Sequence, residues 1–428
     1  MRNTLWVLLV CGLLAAACAT VETVTPDGSK AFVGATLFDG TGSDPISNAV
    51  IVVRDGRIVA AGAADAVEIP AGAERVDIAG KTAIPGLINT HGHVSDVLGL
   101  EGGHYNEENL LRQLGLYARY GITAVNSLGG DGEEAVRLRD AEDASLDRAR
   151  ITVAGAVVTG ESVEEVLAAV EANASMGVDF IKIRVDDNLG ASTKMSPEIY
   201  AAVIEAAHAK GLKVASHLFY LEDAKGLLEA GTDFVAHSIR DLDVDDEVIS
   251  MMKDKNVCYC PTLTREVSTY VYEDVPEFFE DPFFLTDADP AVLELLKDPE
   301  RMQGVKDSPA PAAYKKALEV AMANLKKVAD GGTTVAFGTD TGPAGRFQGY
   351  FEHMEFDMMA EAGLTPKQII MSATGDAAQC LGFTDIGTLE AGKWADFIVL
   401  DDDPLADIKN LHSIDSVWIA GNRVPNDT

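Results

Sequence analysis

Two histidines, His91 and His93, stand one residue apart in the segment IPGLINTHGHV, residues 84–94, where an apolar run ends. Histidine is scarce in this chain, with eight among 428 residues. Alternate residues of a strand point to the same face, so a strand here would place the two imidazoles side by side. That arrangement suits a divalent ion such as Zn²⁺. The pair alone is a weak signal, because a polar end of an ordinary strand would have the same pattern.

Four more residues with suitable chemistry stand near the predicted ends of other strands. Lys182 lies in FIKIRVD, His217 in KVASHLF, His237 in FVAHSI and Asp340 in TVAFGTD. A lysine that points into a protein interior is costly unless it is paired or its amine is kept neutral. Lys182 is therefore either an ion-paired lysine or a reactive one. All four are candidates to join the histidine pair if the strand ends meet.

An alternation of strand and helix patterns would make those ends meet. The predicted strands are TAIPGLINTH, ITAVNSL, ITVAGAVV, FIKIRVD, KVASHLF, FVAHSI, NVCYCPTL and TVAFGTD. Amphipathic helical patterns such as SVEEVLAAVEANASMG and SPEIYAAVIEAAHAKG lie between most of them and stop at glycine. The sequence therefore predicts an α/β protein with a (β/α)8 TIM barrel over residues 81–384, and such barrels carry their sites at the carboxyl ends of the strands.

Both ends of the chain have a different, β-rich pattern. AVIVVRDGRIVAAG predicts a hairpin that turns at Asp55 and Gly56, and a second turn is predicted at Ala420, Gly421 and Asn422. Because β-rich ends surround a different middle, residues 30–80 and 385–428 are predicted to form one composite β-sandwich domain.

The composition limits the partners. Apolar residues make up 47% of the chain, and 34 Lys and Arg stand against 68 Asp and Glu, a formal net charge of -34. Such a charge repels nucleic acid and anionic membranes and favours solubility. We therefore expect no nucleic-acid partner, while a homo-oligomer stays open.

The first residues are predicted to be a signal rather than part of the fold. After Arg2, the run LWVLLVCGLLAAACAT is too short to span a bilayer and is typical of secretory signals. LAAAC resembles a bacterial lipobox, which would be cleaved after residue 17 and lipidated at Cys18, although Ala15 stands where leucine is usual. The prediction is export, either as a lipoprotein anchored to the membrane at Cys18 or as a periplasmic protein after simple cleavage.

Three cysteines remain beyond that segment: Cys258, Cys260 and Cys380. Cys258 and Cys260 alternate along a predicted strand, where a disulfide between them would be strained. We expect small buried apolar side chains and no disulfide framework.

A long insertion, residues 264–312, separates the last two predicted barrel strands. It contains twelve acidic, four basic and six aromatic residues. Long loops at this end of a barrel commonly form lids or substrate walls. A lid or wall is expected, and the alternative is a solvated acidic loop with a few aromatic side chains packed beneath it.

The motifs together resemble the amidohydrolase superfamily, in its imidazolonepropionase-like and metal-dependent Xaa-Pro dipeptidase branch, which includes ochratoxin-hydrolysing amidohydrolases. The resemblance extends over residues 32–424 and depends on PGLINTHGH, DFIKIRVDD, VASHLFYLEDA, FVAHSIRD, AFGTDTG and GTLEAGKWADFIVLD. It implies a binuclear metal-dependent hydrolase that cuts an amide or peptide bond with a metal-bridged hydroxide. The implied substrate carries a free carboxylate, as a dipeptide, an N-acyl amino acid or an ochratoxin-type amide does.

The resemblance also implies a role for each candidate residue. Two divalent ions, expected to be zinc, would be held by His91, His93, Lys182, His217, His237 and Asp340. His91, His93 and Asp340 would hold the more buried ion, and the other two histidines the second. Lys182, N-carboxylated by CO₂, would bridge both ions as an anionic ligand. Asp340 would orient the hydroxide, take its proton and pass it to the leaving amine.

In one respect the sequence departs from this pattern. Many dipeptidase relatives carry a histidine after the third strand that helps to hold the substrate carbonyl, whereas AGAVVTGESVEE has none. Tyr220, three residues after His217, is the catalytic and substrate-binding candidate for that role, with aromatic packing as the alternative.

Three further residues are candidates for binding substrate. Arg240 could pair with a substrate carboxylate, since arginine matches carboxylates, or with Asp241 or Asp243 in an ion pair. Arg184 and His104 are weaker candidates at the same mouth.

Other functions stay open. A lactonase or phosphotriesterase could use the same hydroxide. A mononuclear deaminase would place glutamate where this chain has Tyr220 and gives Lys182 no role. A lipoprotein that only binds ligand would not need so complete a set of metal-binding groups.

Overall fold

The computed structural model describes residues 28–426, so the predicted signal over residues 1–17 and the lipidation site at Cys18 lie outside the described part. The strands are β1 (Lys30–Leu37), β2 (Ile46–Arg54), β3 (Arg57–Ala63), β4 (Glu74–Asp77), β5 (Thr82–Pro85), β6 (Leu87–Gly92), β7 (Ile122–Ser127), β8 (Arg150–Val153), β9 (Phe180–Arg184), β10 (Lys213–His217), β11 (Phe234–Val235), β12 (Cys258–Tyr259), β13 (Phe397–Leu400), β14 (Ile414–Ile419) and β15 (Asn422–Arg423).

The α-helices are α1 (Glu107–Arg119), α2 (Glu133–Asp140), α3 (Val163–Met176), α4 (Pro197–Ala209), α5 (Leu221–Ala230), α6 (Asp246–Asp254), α7 (Leu263–Val267), α8 (Pro282–Leu285), α9 (Pro290–Leu296), α10 (Pro299–Asp307), α11 (Ala310–Asp330), α12 (Tyr350–Glu361), α13 (Pro366–Ser372) and α14 (Gly375–Leu381). Short 3₁₀ helices cover Val271–Glu273, Glu277–Glu280 and Ile408–His412. Among the described residues, no helix combines the length and the apolar character that crossing a membrane requires.

Two parallel sheets form the middle of the chain. β6, β7 and β8 pair in chain order, and so do β9, β10, β11 and β12. Isolated parallel β-bridges connect the two sheets to each other and to the segment after α11. They pair Val158 with Ile183, Tyr259 with Val335, and Gly92 with Thr341. The α/β class is therefore confirmed. The segment TVAFGTD pairs only through bridges and not as the predicted regular strand, so a closed (β/α)8 barrel stays a prediction.

Helix ends and strand faces follow the sequence pattern. Ser162 caps α3 by accepting a hydrogen bond from the amide of Glu165, and Gly177 ends that helix with a φ of 87°. On β9, Ile181 and Ile183 pack in the large core beneath the helices, whereas Phe180 faces the smaller core between the strands. The alternation sends Lys182 to the same face as Phe180.

The first predicted barrel strand, TAIPGLINTH, is divided in the structure. Its first part is β5, which joins the sheet made by the chain ends, and its second part is β6, which begins the parallel sheet. Gly86 separates them, and a Cβ there would meet Oγ1 of Thr123 at 2.0 Å. The close approach explains why the strand changes sheets at a glycine.

The two chain ends pair in one mixed sheet of order β15-β14-β13-β5-β1-β2-β3, with β4 also paired to β1. Phe32, Phe397 and Trp418 meet on one face, with ring centroids 4.7–6.1 Å apart. The predicted hairpin is confirmed, since Asp55 and Gly56 turn between β2 and β3 with φ values of 50° and 76°. The division into domains at residues 80 and 385 stays a prediction.

The expectation of no disulfide is wrong. Cys258 at β12 and Cys380 in α14 form a disulfide across 122 residues of sequence, while Cys260 is a buried free thiol. The prediction failed because it considered only the near neighbour of Cys258, and a fold can bring together cysteines far apart in sequence.

The insertion contains five short α-helical or 3₁₀ segments and packs against the rest of the molecule. Tyr272, Phe279 and Phe284 form an apolar cluster with Tyr120, after α1, and with Phe351 on α12. The aromatic residues therefore anchor the insertion, and whether it acts as a lid stays a prediction.

Candidate metal centre

His91, His93 and Asp340 converge where β6 meets the segment before α12. Their ligand atoms all lie within 4.8 Å of one another. Nε2 of His93 is 2.7 Å from Oδ1 of Asp340, and Nε2 of His91 is 3.4 Å from the same oxygen. Both imidazoles come from alternate positions of the same strand end, as the sequence predicts.

The contact between His93 and Asp340 requires a proton or a metal ion between its two atoms. Nδ1 of His93 is 3.0 Å from the carbonyl oxygen of Gly129, which can only accept, so Nδ1 carries a proton. Nε2 lies 2.7 Å from Oδ1 of Asp340. With a proton on Nε2 the contact is an ion pair, and without that proton both atoms can bind a metal ion. The residues present therefore fit a bound metal.

His217 and His237 extend this cluster. Their ring centroids are 4.1 Å apart, and the ring of His237 is 4.6 Å from that of His91. Nε2 of His217 is 2.8 Å from Oδ2 of Asp186, and Nδ1 of His237 is 2.7 Å from Oγ1 of Thr262. These contacts occupy one nitrogen of each ring and leave Nδ1 of His217 and Nε2 of His237 as ligand atoms.

Burial keeps these imidazoles neutral. It lowers the pKa of His91 and His237 well below the usual value, and it lowers the pKa of His217 to about 4 although Asp186 opposes the shift. A neutral imidazole is the form that binds a metal, so burial prepares the rings for that role.

Lys182 reaches the cluster from β9. Its side chain is buried, and Nζ lies 3.1 Å from Nε2 of His91. Burial lowers the pKa of Lys182 to about 8, although Asp340 and other nearby groups raise it. The structure thus brings all six predicted metal ligands into one cluster, with Lys182 among histidines rather than in a simple surface ion pair.

The backbone around Asp340 is constrained. Asp340 has a φ of 62°, and its amide donates to the carbonyl of His91 at 2.6 Å. At Gly338 a Cβ would meet Sγ of Cys260 at 2.6 Å and Cβ of His91 at 2.9 Å. The small residue lets this segment approach β6 closely enough for Asp340 to face the histidines.

Sequence reasoning missed a buried carboxylate that supports this segment. Oε1 of Glu352 accepts hydrogen bonds from Nδ2 of Asn89, Oγ1 of Thr339 and Oγ1 of Thr341, at 2.5–2.7 Å. Glu352 is buried on α12, in the segment YFEHMEFDMM. An acidic residue among the apolar residues of that segment was the one feature of the sequence that could have indicated its role. It fixes the residues on both sides of Asp340.

Arg346 and Asp186 were also missed. Nη1 of Arg346 is 2.5 Å from Oδ2 of Asp340, so the arginine holds the carboxylate oxygen that faces away from His93. Burial alone would raise the pKa of Asp340, but the charge of Arg346 holds it well below the usual value. Arg346 and Asp186 both lie in loops beyond strand ends, where no periodic pattern predicts the direction of a side chain.

Tyr220 lies at the start of α5, and its hydroxyl donates to Oδ1 of Asp187 at 2.8 Å. Nζ of Lys194 is 4.2 Å from the centroid of its ring. Burial and the contact with Asp187 raise the pKa of Tyr220, so the hydroxyl keeps its proton and can donate it in a hydrogen bond.

Arg240 is buried away from the mouth, with a side chain that is 0% exposed. Nε is 3.0 Å from Glu266, and Nη1 donates to the carbonyl oxygens of Leu218 and Ser238. The predicted ion pair with Asp241 or Asp243 is wrong, because the carboxylate partner is Glu266 of the insertion. This burial does not support a substrate-binding role.

Arg184 and His104 differ in their surroundings. Nε of Arg184 is 3.5 Å from Oδ1 of Asp186, and the arginine side chain is 37% exposed. His104 is partly buried in the segment before α1, where its amide donates to the carbonyl of Asp96. Arg184 therefore lies beside Asp186, the carboxylate that contacts His217. For the ring of His104, no contact is found among the described residues.

The sequence of the chain matches a known protein family. The model of the amidohydrolase family matches residues 82–424. The chain belongs to the amidohydrolase family. The resemblance seen in the motifs is thereby confirmed.

Known relatives of this amidohydrolase act on varied substrates. It is 27% identical over 281 residues to the ochratoxinase of Aspergillus niger, covering 63% of this chain and 51% of that protein, so the match spans about half of the relative. It is 24% identical over 424 residues to the imidazolonepropionase of Streptomyces avermitilis, covering 95% of each.

Solved structures show a similar fold. A putative prolidase from Bifidobacterium longum is 26% identical, with a TM-score of 0.74 that covers 94% of this amidohydrolase and 95% of that chain. The A. niger ochratoxinase superposes with a TM-score of 0.72 at 19% identity, covering 92% and 95% of the two chains, a likeness of fold alone.

Proposed function

We propose that this amidohydrolase is a binuclear metal-dependent hydrolase that cuts an amide or peptide bond beside a free carboxylate. The observation that carries the proposal is the convergence of the ligand atoms of His91, His93 and Asp340 within 4.8 Å of one another, next to the rings of His217 and His237. Burying so many imidazoles around one carboxylate is costly, and divalent cations would offset that cost.

The two halves of the cluster would hold one ion each. His91, His93 and Asp340 would hold the inner ion, and His217 with His237 the outer one, through the nitrogens that their hydrogen bonds leave open. When bound, two zinc or similar ions would activate a water molecule and polarise the scissile carbonyl.

Lys182 would join the two halves as an N-carboxylated lysine. A neutral amine is the form that reacts with CO₂, and the buried surroundings of Lys182 favour that form by lowering its pKa to about 8. The product is an anion, which supplies oxygen ligands and offsets the charge of two cations. Nζ is 3.1 Å from a nitrogen of His91, so the modified side chain would begin within the cluster.

Asp340 and Tyr220 would carry the remaining roles. Oδ1 of Asp340 faces the histidines, where it can accept a proton from the attacking water and return it to the leaving amine. The hydroxyl of Tyr220 can donate to the substrate carbonyl in exchange for Asp187. Arg346 keeps the pKa of Asp340 low, so that the carboxylate is ionised and can accept a proton, whereas burial raises the pKa of Tyr220 and keeps its hydroxyl protonated.

The substrate class is proposed from the chemistry of the relatives. A prolidase and an ochratoxinase are among the similar proteins. The common element that we propose for this chain is an amide bond with a carboxylate close to the leaving nitrogen. Dipeptides, N-acyl amino acids and ochratoxin-type amides all satisfy that description.

Export is proposed from two independent features. The signal-like segment lies outside the described residues, but the disulfide between Cys258 and Cys380 lies within them. Disulfides persist in oxidising compartments such as the periplasm. The disulfide supports a periplasmic or membrane-anchored location without reference to Cys18.

A substrate screen tests the function. The full chain, stripped of metal and then reloaded with Zn²⁺, is incubated with a library of dipeptides and N-acyl amino acids, and release of free amine is measured. We expect turnover by the reloaded protein and none by the stripped protein or by Asp340→Asn. Turnover of lactones or phosphotriesters with none of any amide would contradict the proposal and favour the alternative hydrolase.

A further inference from the structure

Arg346 lies beside the candidate metal centre, where its guanidinium contacts Asp340. Nη1 is 2.5 Å from Oδ2 and 3.1 Å from the main-chain oxygen of Asp340. Nε donates to the hydroxyl of Ser268 at 3.0 Å. The side chain is 18% exposed, so part of it reaches solvent while the rest is enclosed.

The loop that carries Arg346 is fixed on both sides. The amide of Arg346 donates to the carbonyl of Pro343 at 2.9 Å, and its carbonyl accepts from the amide of Gly342 at 3.2 Å. The preceding Gly345 accepts a hydrogen bond from the hydroxyl of Tyr272. The following Phe347 contacts Phe284, with centroids 4.9 Å apart. The guanidinium is therefore held in place before any ligand arrives.

The charge of Arg346 is only partly matched. Two other arginines, the buried Arg240 and the partly buried Arg265, both pair with Glu266. In the described part of the chain, the one carboxylate paired with Arg346 is Asp340, whose other oxygen faces His91 and His93. Asp340 is thus shared between the arginine and the metal centre.

One amino group of the Arg346 guanidinium, Nη2, is available to a ligand. Nε and Nη1 of Arg346 make the contacts described above, whereas Nη2 has no hydrogen-bond partner among residues 28–426 and is not buried. A guanidinium with a fixed orientation and one free donor edge is suited to an anionic, planar ligand.

We propose that Arg346 binds the carboxylate of the substrate through Nη2 while Nη1 keeps Asp340 in position. The inference rests on the proposed function and names the residue that sets its specificity, a role that Arg240 cannot fill from its buried position. Because the same guanidinium touches Asp340, the recognised carboxylate lies near the scissile bond. This favours the α-carboxylate of a C-terminal residue or of an N-acyl α-amino acid over a more distant one.

A purely structural role would look different. If Arg346 served only to hold Asp340, its replacement would impair every substrate equally. If it also binds the carboxylate, its replacement weakens the binding of acids and spares the binding of the corresponding amides, while turnover of both falls with the loss of the contact to Asp340. The comparison between an acid and its neutral analogue therefore separates the two roles.

The test uses the zinc-loaded full chain and two probes, N-acetyl-L-phenylalanine and its methylamide. Binding of each is measured by calorimetry for wild type, Arg346→Gln, Arg346→Lys and the control Arg137→Gln, an exposed arginine of α2 that pairs with Glu134. Turnover of both probes is measured in parallel, and melting curves check that each variant folds.

We expect wild type to prefer the acid and Arg346→Gln to weaken acid binding about ten- to a hundredfold, with the methylamide changed by less than about twofold. Arg346→Lys should fall between them, and Arg137→Gln should match wild type. Equal losses for both probes, or no preference of wild type for the acid, would overturn the inference. If the acid preference depends on Arg346 but no amide is hydrolysed, the inference stands and the proposed function fails.

Discussion

The carboxylate of Asp186 lies 2.8 Å from Nε2 of His217, on the edge of the imidazole opposite the nitrogen left for a metal. Burial alone would raise the pKa of Asp186, but the hydrogen bond with His217 and the nearby charge of Arg240 hold it below the usual value. The ionised carboxylate therefore fixes both the orientation and the tautomer of His217.

Removing this support should weaken metal binding. We expect Asp186→Ala to lower the affinity of the outer site about ten- to a hundredfold, because His217 loses its fixed orientation. Competition with a chelator measures the affinity. The matched control is Asp187→Ala, which loses a contact with Tyr220 instead and should retain wild-type affinity. Equal affinities for wild type and Asp186→Ala would show that Asp186 does not act on the metal site.

The sequence predicted that these side chains would meet, and it could do so because they occupy regular positions. His91, Lys182 and His217 stand at the ends of strands whose period of two determines the face of each side chain. Parallel strands in chain order bring those ends together, and a sequence shows that order directly.

The supporting residues could not be predicted in the same way. Asp186 and Arg346 lie in loops, and their directions depend on tight turns and on contacts from the insertion. Arg240 shows the same limit, since its partner Glu266 approaches from a segment whose packing the local sequence does not determine. The division of the first strand at Gly86 depends on Thr123, which belongs to another strand.

Glu352 should be necessary for the shape of the centre. Glu352→Leu would leave the donors of Asn89, Thr339 and Thr341 without their acceptor, and we expect a loss of roughly 2–4 kcal/mol in the free energy of unfolding. Thermal unfolding measures the loss, and the exposed Glu361→Gln at the end of the same helix serves as control. A variant as stable as wild type would mean that the network adds nothing to stability.

The disulfide should be detectable in protein from an oxidising compartment. Alkylation in denaturant without a reductant should leave Cys258 and Cys380 unlabelled and label Cys260. Replacing both bonded cysteines by alanine should lower stability by about 2–4 kcal/mol, since the bridge closes a long loop. Labelling of all three without reductant would contradict the pairing.

Carboxylation of Lys182 should depend on pH. Burial lowers the pKa of Lys182 to about 8, so the amine is mainly protonated below that pH and mainly neutral above it. Only the neutral amine adds CO₂, releasing a proton, and at a fixed concentration of dissolved ¹³CO₂ the metal-free protein should therefore form the carbamate faster as pH rises through about 8. A carbamate signal in the ¹³C spectrum reports the product, and Lys182→Ala should lack it. The same uptake by that variant would place the carbamate elsewhere.

The most direct test of the account is the number of metal ions bound by each chain. We measure it by elemental analysis on the full chain after reloading with zinc and bicarbonate, beside Lys182→Ala treated in the same way. The binuclear centre predicts close to two ions per chain in wild type, and fewer in the variant that has lost the bridging ligand. One ion per chain in wild type, unchanged by Lys182→Ala, would contradict it.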